Sequence, residues 1–168
     1  MPPAVALPSY RATVRAEWVD YNGHMRDAFY MLLFSLAGDE LIDLIGLPDS
    51  VRKERRRSIY TLEAHLNYLH EIKEGAQVRI DMRLLAHDVK RIHLYLEMFA
   101  LDGQRAEPVA ASEQMLLHVD TSGPRSIAFD PDVAARVREL AEAHAALPPA
   151  RFAGHVIGLP AVTRRHAT

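Results

Sequence analysis

The sequence predicts an α+β domain in which a long helix is held against a curved antiparallel sheet. Residues 27–47 are expected to form the helix, and its first half is apolar on nearly every side, as in helices that other elements cover. From residue 58 to residue 119 the hydrophobic residues instead recur at every second position, which indicates strands. Short turn signals separate these strands, as in an antiparallel meander.

A strand and a polar loop precede the helix. Residues 10–18 alternate between apolar and polar side chains, and the cluster over residues 20–24 ends this first strand. Asp27 is a candidate N-cap for the helix, and Gly46 followed by Pro48 is a stop signal. The helix is therefore expected to begin directly after the polar loop.

Four further strands follow a charged connector over residues 52–57. The first of them has two faces of different polarity. Its apolar face comprises Tyr60, Leu62, Ala64, Leu66 and Tyr68, and its polar face comprises Thr61, Glu63, His65 and Asn67. The four strands are expected at residues 58–71, 78–84, 92–98 and 109–119, with turns at Gly75, at residues 87–90 and at Asp102-Gly103.

A covered helix followed by a meander predicts a sheet curled around that helix, which is the hot-dog arrangement. A cystatin-like cone also packs a helix on a curved sheet, but the number of apolar sides on this helix favours enclosure. A last helix is expected after Asp130, an N-cap, and Pro131, at the first helical position. We expect one domain over residues 1–168, with a core at about 10–130 and a C-terminal helix and tail at 131–168.

The composition narrows the class of protein. The chain has 168 residues, of which 49% are hydrophobic and 25% charged, and its net charge of −2 gives no field that favours nucleic acid or an anionic membrane. It has no cysteine, which excludes disulfides, thiolate metal sites and cysteine nucleophiles and fits a reducing compartment. Residues 1–9 lack the features of a secretory signal. We therefore expect a cytoplasmic protein with no nucleic-acid or membrane partner.

The loop before the helix carries the most distinctive chemistry. Asp20, Asn22, Gly23 and His24 lie just ahead of a helix N-terminus, whose unpaired N–H groups attract negative charge. Asp20 could attack a thioester carbonyl or act as a general base, and the N–H groups after Gly23 could stabilise the oxyanion. Alternatively, Asp20 and Asn22 are turn formers, Gly23 supplies a positive φ and His24 is a cap.

This loop resembles a known family. Asp20-Tyr21-Asn22-Gly23-His24-Met25, followed by Ala28-Phe29-Tyr30, resembles the lead-in to the central helix in the 4-hydroxybenzoyl-CoA thioesterase-like branch of the hot-dog superfamily. Residues 63–69, 88–93 and 113–120 strengthen the resemblance, which spans about residues 10–130. Together these segments are similar to the thioesterases associated with carnitine dehydrogenase, a group that acts on betainyl-CoA. Many relatives have Asn where this chain has Arg26.

The resemblance implies a dimeric or tetrameric hydrolase that cleaves a small acyl-CoA to free acid and CoA. It makes Asp20 the catalytic carboxylate, with Asn22 and His24 around it. Coenzyme A enters only as part of the substrate, and no other cofactor is expected. The residues expected to contact the substrate are Trp18, Tyr21, Gly23, Met25, Tyr30, Lys90 and Arg91. A hot-dog hydratase or dehydratase and a non-catalytic acyl-CoA-binding module are the alternatives.

Three other groups of residues have both a functional and a structural interpretation. Glu63 could be a second carboxylate that raises the pKa of Asp20, or part of a wet sheet face with His65 and Asn67. Lys90-Arg91 and the connector 52–57 could hold CoA phosphates, or they could be solvated surface charges. The aromatic residues could form a cage for a quaternary ammonium or could belong to the core; they are Trp18, Tyr21, Tyr30, Tyr60 and Tyr68. The nine histidines show no metal spacing, so no metal is expected.

Overall fold

The computed structural model describes residues 7–101 and 106–159 and contains the predicted curled antiparallel sheet. The sheet order is β1-β3-β4-β5-β2, with the short β6 beside β5. The strands are β1 (Ser9–Thr13), β2 (Arg57–Tyr68), β3 (Gln77–His87), β4 (Arg91–Ala100), β5 (Ala110–Asp120) and β6 (Arg125–Ser126). The helices are α1 (Asp27–Leu44), α2 (Asp49–Arg55) and α3 (Pro131–His144), with a 3-10 turn at Ala16–Trp18. The predicted turn at Asp102-Gly103 lies outside the described residues, as do residues 1–6 and 160–168.

Helix α1 packs one side against the inner face of the sheet. Its buried residues recur at intervals of three and four, which places them on one side: Tyr30, Leu33, Phe34, Ala37, Gly38 and Leu41. They meet the inward residues of β3 and β4 in a single core. The prediction that the first half is covered on nearly every side is wrong for the single chain, because the sheet reaches only one side. Ala28 and Ser35 are exposed, and Leu32 is 39% exposed.

Both ends of α1 follow from local chemistry, with a shift of one residue at the start. Arg26 is the N-cap and Asp27 the first helical residue, so the Asp27 carboxylate accepts from the N–H of Ala28 at 2.9 Å. The stop signal is confirmed, because Gly46 adopts a φ of 97°. The N–H of Gly46 then bonds to Asp43, and the N–H of Leu47 bonds to Ile42. This double hydrogen bond is the Schellman pattern that ends many helices.

The charged connector predicted at residues 52–57 contains regular structure. Helix α2 ends at Arg55 and β2 begins at Arg57, and Lys53 pairs with Asp49 across one helical turn at 2.6 Å. Strand β1 is shorter than predicted, since it ends at Thr13 and the chain then turns through the 3-10 helix Ala16–Trp18. Helix α2 and the 3-10 helix are both short segments that satisfy their backbone hydrogen bonds locally. The pattern of apolar residues does not predict such short elements.

A β-bulge changes the predicted faces of β2. The pairing of β2 with β5 shifts between Thr61 and Glu63, so Leu62 is the extra residue. Ile59 before the bulge and Leu66 after it both pack on the core, which strict alternation would forbid. Tyr60 is therefore on the opposite face from Leu66, and the single apolar face that was predicted is wrong.

Helix α3 and the tail after it complete the domain. Val133 and Val137 of α3 are buried, as the predicted apolar stripe requires. The tail then crosses the outer face of the sheet: the Pro148 carbonyl accepts from Arg83 of β3 at 2.7 Å, and the Gly154 N–H donates to Glu113 of β5 at 2.6 Å. This tail covers polar side chains on the sheet face that points away from α1.

Candidate active site

The polar loop before α1 is fastened to the segment that follows β2. Val19 and Met25 pair across the loop, and His24 pairs with Lys73. The N–H of Met25 donates to the carbonyl of Ile72 at 2.8 Å. Met25 is buried. The loop therefore has a defined shape, and its functional side chains are held relative to the start of α1.

The Asp20 carboxylate is fixed by main-chain donors. Its Oδ1 accepts from the N–H of Asn22 at 2.8 Å and from the N–H of His24 at 3.1 Å. The bond from His24 contributes most to lowering the pKa of Asp20 below its ordinary value, and the charges of His24 and Arg26 act in the same direction. The carboxylate is therefore ionised at neutral pH, the state that a nucleophile or general base needs.

The first N–H after Gly23 that lacks an acceptor among the described residues is at the start of α1. The N–H groups of residues 23–26 all have acceptors within the chain, so the prediction that the first donors after Gly23 are free is wrong for these positions. Among the described residues, none accepts from the N–H of Asp27. This donor lies at the positive end of the α1 dipole, which suits an oxyanion.

His24 has a carboxylate partner that the sequence did not suggest. Its Nε2 lies 3.4 Å from Oε2 of Glu71, in the segment after β2. Because the two residues are far apart in the sequence, only the pairing of the loop with residues 72–73 brings them together. Asn22 is exposed on the loop, and its main-chain N–H donates to the Asp20 carboxylate.

A pocket of about 290 Å³ opens beside the start of α1. Tyr30 of α1 and Tyr68 of β2 meet in it edge to face, with ring centroids 5.4 Å apart. Its lining residues are Met25, Asp27, Tyr30, Tyr68, Leu69, His70 and Glu71. Asp27 is thus both a lining residue of this pocket and a residue whose N–H has no acceptor among the described residues, and Asp20 and His24 lie on the loop just before it.

A family model described as the thioesterase-like superfamily matches residues 14–137. The chain belongs to this superfamily. The predicted family and the predicted hot-dog fold are confirmed, and the protein is a thioester hydrolase.

Several proteins resemble this thioesterase over most of its length. A betainyl-CoA thioesterase from Pseudomonas aeruginosa is 53% identical over 93% of this chain and 97% of its own. The L-carnitine dehydrogenase/betainyl-CoA thioesterase of Rhizobium meliloti is 38% identical over 86% of this chain, which corresponds to 29% of that longer protein.

Solved structures agree with this assignment. A hypothetical protein from Staphylococcus aureus in complex with CoA superposes with a TM-score of 0.85 at 27% identity, over 92% of this chain and 96% of that one. A candidate thioesterase from Pseudomonas putida gives a TM-score of 0.78 at 42% identity, over 93% of this chain and 97% of that one.

In this thioesterase Glu63 does not lie beside Asp20. It faces the outer side of the sheet, in a pocket under the tail that His65, His93 and Glu113 also line. There Nε2 of His93 lies 2.6 Å from Oε1 of Glu113. The predicted raising of the Asp20 pKa by Glu63 is therefore wrong, because main-chain donors lower that pKa instead.

The basic residues interpreted as holders of the CoA phosphates, in the connector 52–57 and at Lys90-Arg91, do not line the pocket, and most of them pair with acids. Arg55 contacts Asp132 at 2.9 Å, which ties α2 to the start of α3. Arg91 contacts Asp88 at 2.5 Å. It pairs with Leu117 of β5, whereas Tyr68 of the pocket pairs with Ala110 of the same strand, so the two positions are about 23 Å apart along β5. Lys90 donates to Ser126 at 3.1 Å. The structure thus supports a structural role for Arg55 and does not bring Lys90-Arg91 to the pocket within one chain.

The predicted aromatic cage is reduced to two residues. Trp18 is buried, and its ring stacks on that of Phe29 with centroids 5.8 Å apart, so it belongs to the core and packs beneath the loop. Tyr21 is 94% exposed, and Tyr60 lies elsewhere on β2. Only Tyr30 and Tyr68 line the pocket beside α1.

The described residues contain no arrangement of three or more His, Asp or Glu side chains suited to a metal ion. Nor does any helix among them have the length and apolar character that crossing a membrane requires. The expectation that no cofactor is needed stays a prediction.

Proposed function

We propose that this thioesterase hydrolyses betainyl-CoA to betaine and CoA, with Asp20 as the catalytic carboxylate. The observation that carries the proposal is the Asp20 carboxylate fixed by two main-chain N–H donors, on the loop just before α1. The names of the similar proteins from Pseudomonas aeruginosa and Rhizobium meliloti support the choice of acyl group.

In the proposed reaction the thioester carbonyl oxygen accepts from the N–H of Asp27. Asp20 then attacks the carbonyl carbon, expels the CoA thiolate and forms a mixed anhydride that water hydrolyses, or it removes a proton from an attacking water. In both routes the oxyanion is stabilised by the Asp27 donor and the α1 dipole, an effect typically of about 10²–10³ in rate. In this proposal His24, whose Nε2 lies 3.4 Å from Oε2 of Glu71, protonates the departing thiolate.

The test is thiol release from betainyl-CoA by the native protein and by Asp20→Asn. Because the chain has no cysteine, a thiol-reactive dye reports only CoA. We expect kcat to fall at least about 100-fold, since the amide keeps the shape but loses the base. Glu139→Gln, on the exposed side of α3, makes the same acid-to-amide change away from the loop and should keep the native rate. An Asp20→Asn variant with native kcat would refute the proposal, and water addition without CoA release would indicate a hydratase.

We also propose that two chains pair through the edges of β2. Strand β2 lies at the end of the sheet, and Leu62 on it is 56% exposed. Such an edge with apolar side chains is an association surface unless it is covered. Leu32, on the uncovered side of α1, adds to the unpartnered apolar surface. The absence of cysteine and the acyl-CoA substrate support a location in the cytoplasm.

Sedimentation at several concentrations tests the dimer. Leu62→Glu places a charge on the proposed interface and should shift the protein to a monomer. Val89→Glu makes the same change at an exposed turn and should leave the dimer intact. A native monomer, or equal dissociation of both variants, would contradict pairing through β2.

A further inference from the structure

We propose that the pocket beside α1 binds a trimethylammonium group, and that Tyr68 and Glu71 select for its positive charge. This proposal rests on the proposed function and assigns residues to the recognition of the acyl group. It follows from three features of the pocket: the sign of its charges, the orientation of its aromatic hydroxyl groups, and its distance from the oxyanion donor.

The charges in the pocket wall are negative. Two of the lining side chains, Asp27 and Glu71, are carboxylates, and none of the seven described lining residues is Lys or Arg. A helix N-terminus by itself attracts anions. The carboxylates of Asp27 and Glu71 favour a cationic acyl group over an anionic one in this pocket, while the oxyanion would be held by a direct hydrogen bond from the N–H of Asp27.

The two tyrosines add electron-rich surfaces. The hydroxyl of Tyr30 donates to the carbonyl of His70, and that of Tyr68 donates to the carbonyl of Asp27, both at 3.4 Å. The hydroxyl protons therefore point into the main chain and away from a bound cation. Burial raises the pKa of Tyr30 and of Tyr68, and the nearby charges of Glu71 and Asp27 act in the same direction. Both rings are neutral phenols whose faces attract cations.

The pocket suits a methylated ammonium better than a primary one. A primary ammonium has three N–H donors, each of which needs an acceptor when it leaves water. A trimethylammonium group has none, and it needs apolar and aromatic contacts for its methyl groups. Met25 and Leu69 in the wall provide apolar contacts, and the Tyr68 ring provides an aromatic one.

The distance between the reacting carbon and the charge fixes where the ammonium can bind. In a betainyl group one methylene separates the nitrogen from the carbonyl carbon, so the two are about 2.5 Å apart. An acyl oxygen held by the N–H of Asp27 therefore places the nitrogen within a few ångströms of that residue. Asp27 is one of the residues that line the pocket, so the proposed oxyanion donor and the proposed cation site share one wall, as this short acyl group requires.

The test compares two esters of the same shape. Betainyl-CoA and 3,3-dimethylbutanoyl-CoA differ only in having nitrogen or carbon at the branched centre, so the ratio of their kcat/KM values reports charge recognition. We expect the native protein to prefer betainyl-CoA, and Tyr68→Leu to reduce this preference about tenfold. Glu71→Gln should reduce it about threefold to tenfold. Tyr68→Phe keeps the ring, and Glu74→Gln makes the matched amide change outside the pocket, so both should keep the native preference.

Equal slowing of both esters by Glu71→Gln and Tyr68→Leu would overturn the proposal, because it would indicate a role through His24 or the fold. If native protein released CoA from neither ester, the proposed function would fail, and calorimetry of betainyl-CoA binding to Asp20→Asn would decide the cation site separately. Binding weakened by adding Glu71→Gln but not Glu74→Gln would support it. Unchanged affinity, or no binding, would overturn it.

Discussion

Gly23 has been interpreted both as a turn residue with a positive φ and as a residue that contacts the substrate, and its substitution separates these two roles. Gly23 adopts a φ of 78°, and a Cβ built on it meets no atom within 4 Å. The cost of Gly23→Ala is therefore conformational and not steric, about 1–2 kcal/mol of stability. For a domain of this size that lowers Tm by about 2–8 °C. Gly23→Asn should lose less, because Asn tolerates the left-handed region better than Ala.

The structure assigns the turn, and not a ligand contact, to Gly23. Its N–H bonds to the carbonyl of Asp20, its carbonyl accepts from Glu74, and it is not among the residues that line the pocket. Both variants should therefore keep these main-chain bonds and a native KM for betainyl-CoA, while their stabilities follow the strain. Urea unfolding and thiol-release kinetics on the same preparations test this. If KM rose more in Gly23→Asn than in Gly23→Ala, binding would depend on the size of the side chain. Gly23 would then contact the substrate, and the assignment of the turn alone would be refuted.

Two further predictions concern the catalytic carboxylate and the core. Because the N–H of His24 lowers the pKa of Asp20, the carboxylate is ionised above that lowered value, and activity is lost only as the pH falls through it. The pH at which kcat/KM falls on the acid side should therefore lie below 3.8, the ordinary pKa of an aspartate, when measured on protein that is shown to be folded. A fall at higher pH that is caused by protonation of Asp20 would contradict this. Phe34 of α1 is fully buried, so Phe34→Ala should cost about 3–5 kcal/mol in guanidinium unfolding, and a loss below about 1 kcal/mol would show that the core is not packed as described.

The sequence predicted those parts of the site that depend on neighbouring residues. The Asp20 loop is one example, because a carboxylate that accepts from N–H groups two and four residues later needs only a local turn. The end of α1 at Gly46 is another, since a positive φ after the last turn is a local property. The family resemblance added the role of Asp20, which residue types alone left open.

The errors share a different cause. Alternation along β2 predicted one apolar face, but the bulge at Leu62 reversed the alternation part-way along the strand. Glu63 was interpreted either as a second carboxylate near Asp20 or as part of a wet sheet face, and the structure places it on the outer side of the sheet. The extent to which α1 is covered depends on how far the sheet curls. None of these features is encoded within a window of a few residues.

The sequence by itself thus determined the order of the long helices and strands, the turn that holds Asp20 and the superfamily, but not the short elements α2 and β6. These follow from hydrophobic period, turn chemistry and short motifs, which act over neighbouring residues. Only the tertiary structure decided that Glu71 meets His24 and that Tyr68 meets Tyr30. It also decided that, among the described residues, the first N–H after Gly23 without an acceptor is that of Asp27. Each of these depends on β2 ending beside the start of α1. That contact joins residues about 40 positions apart, and the pairing of the whole sheet fixes it.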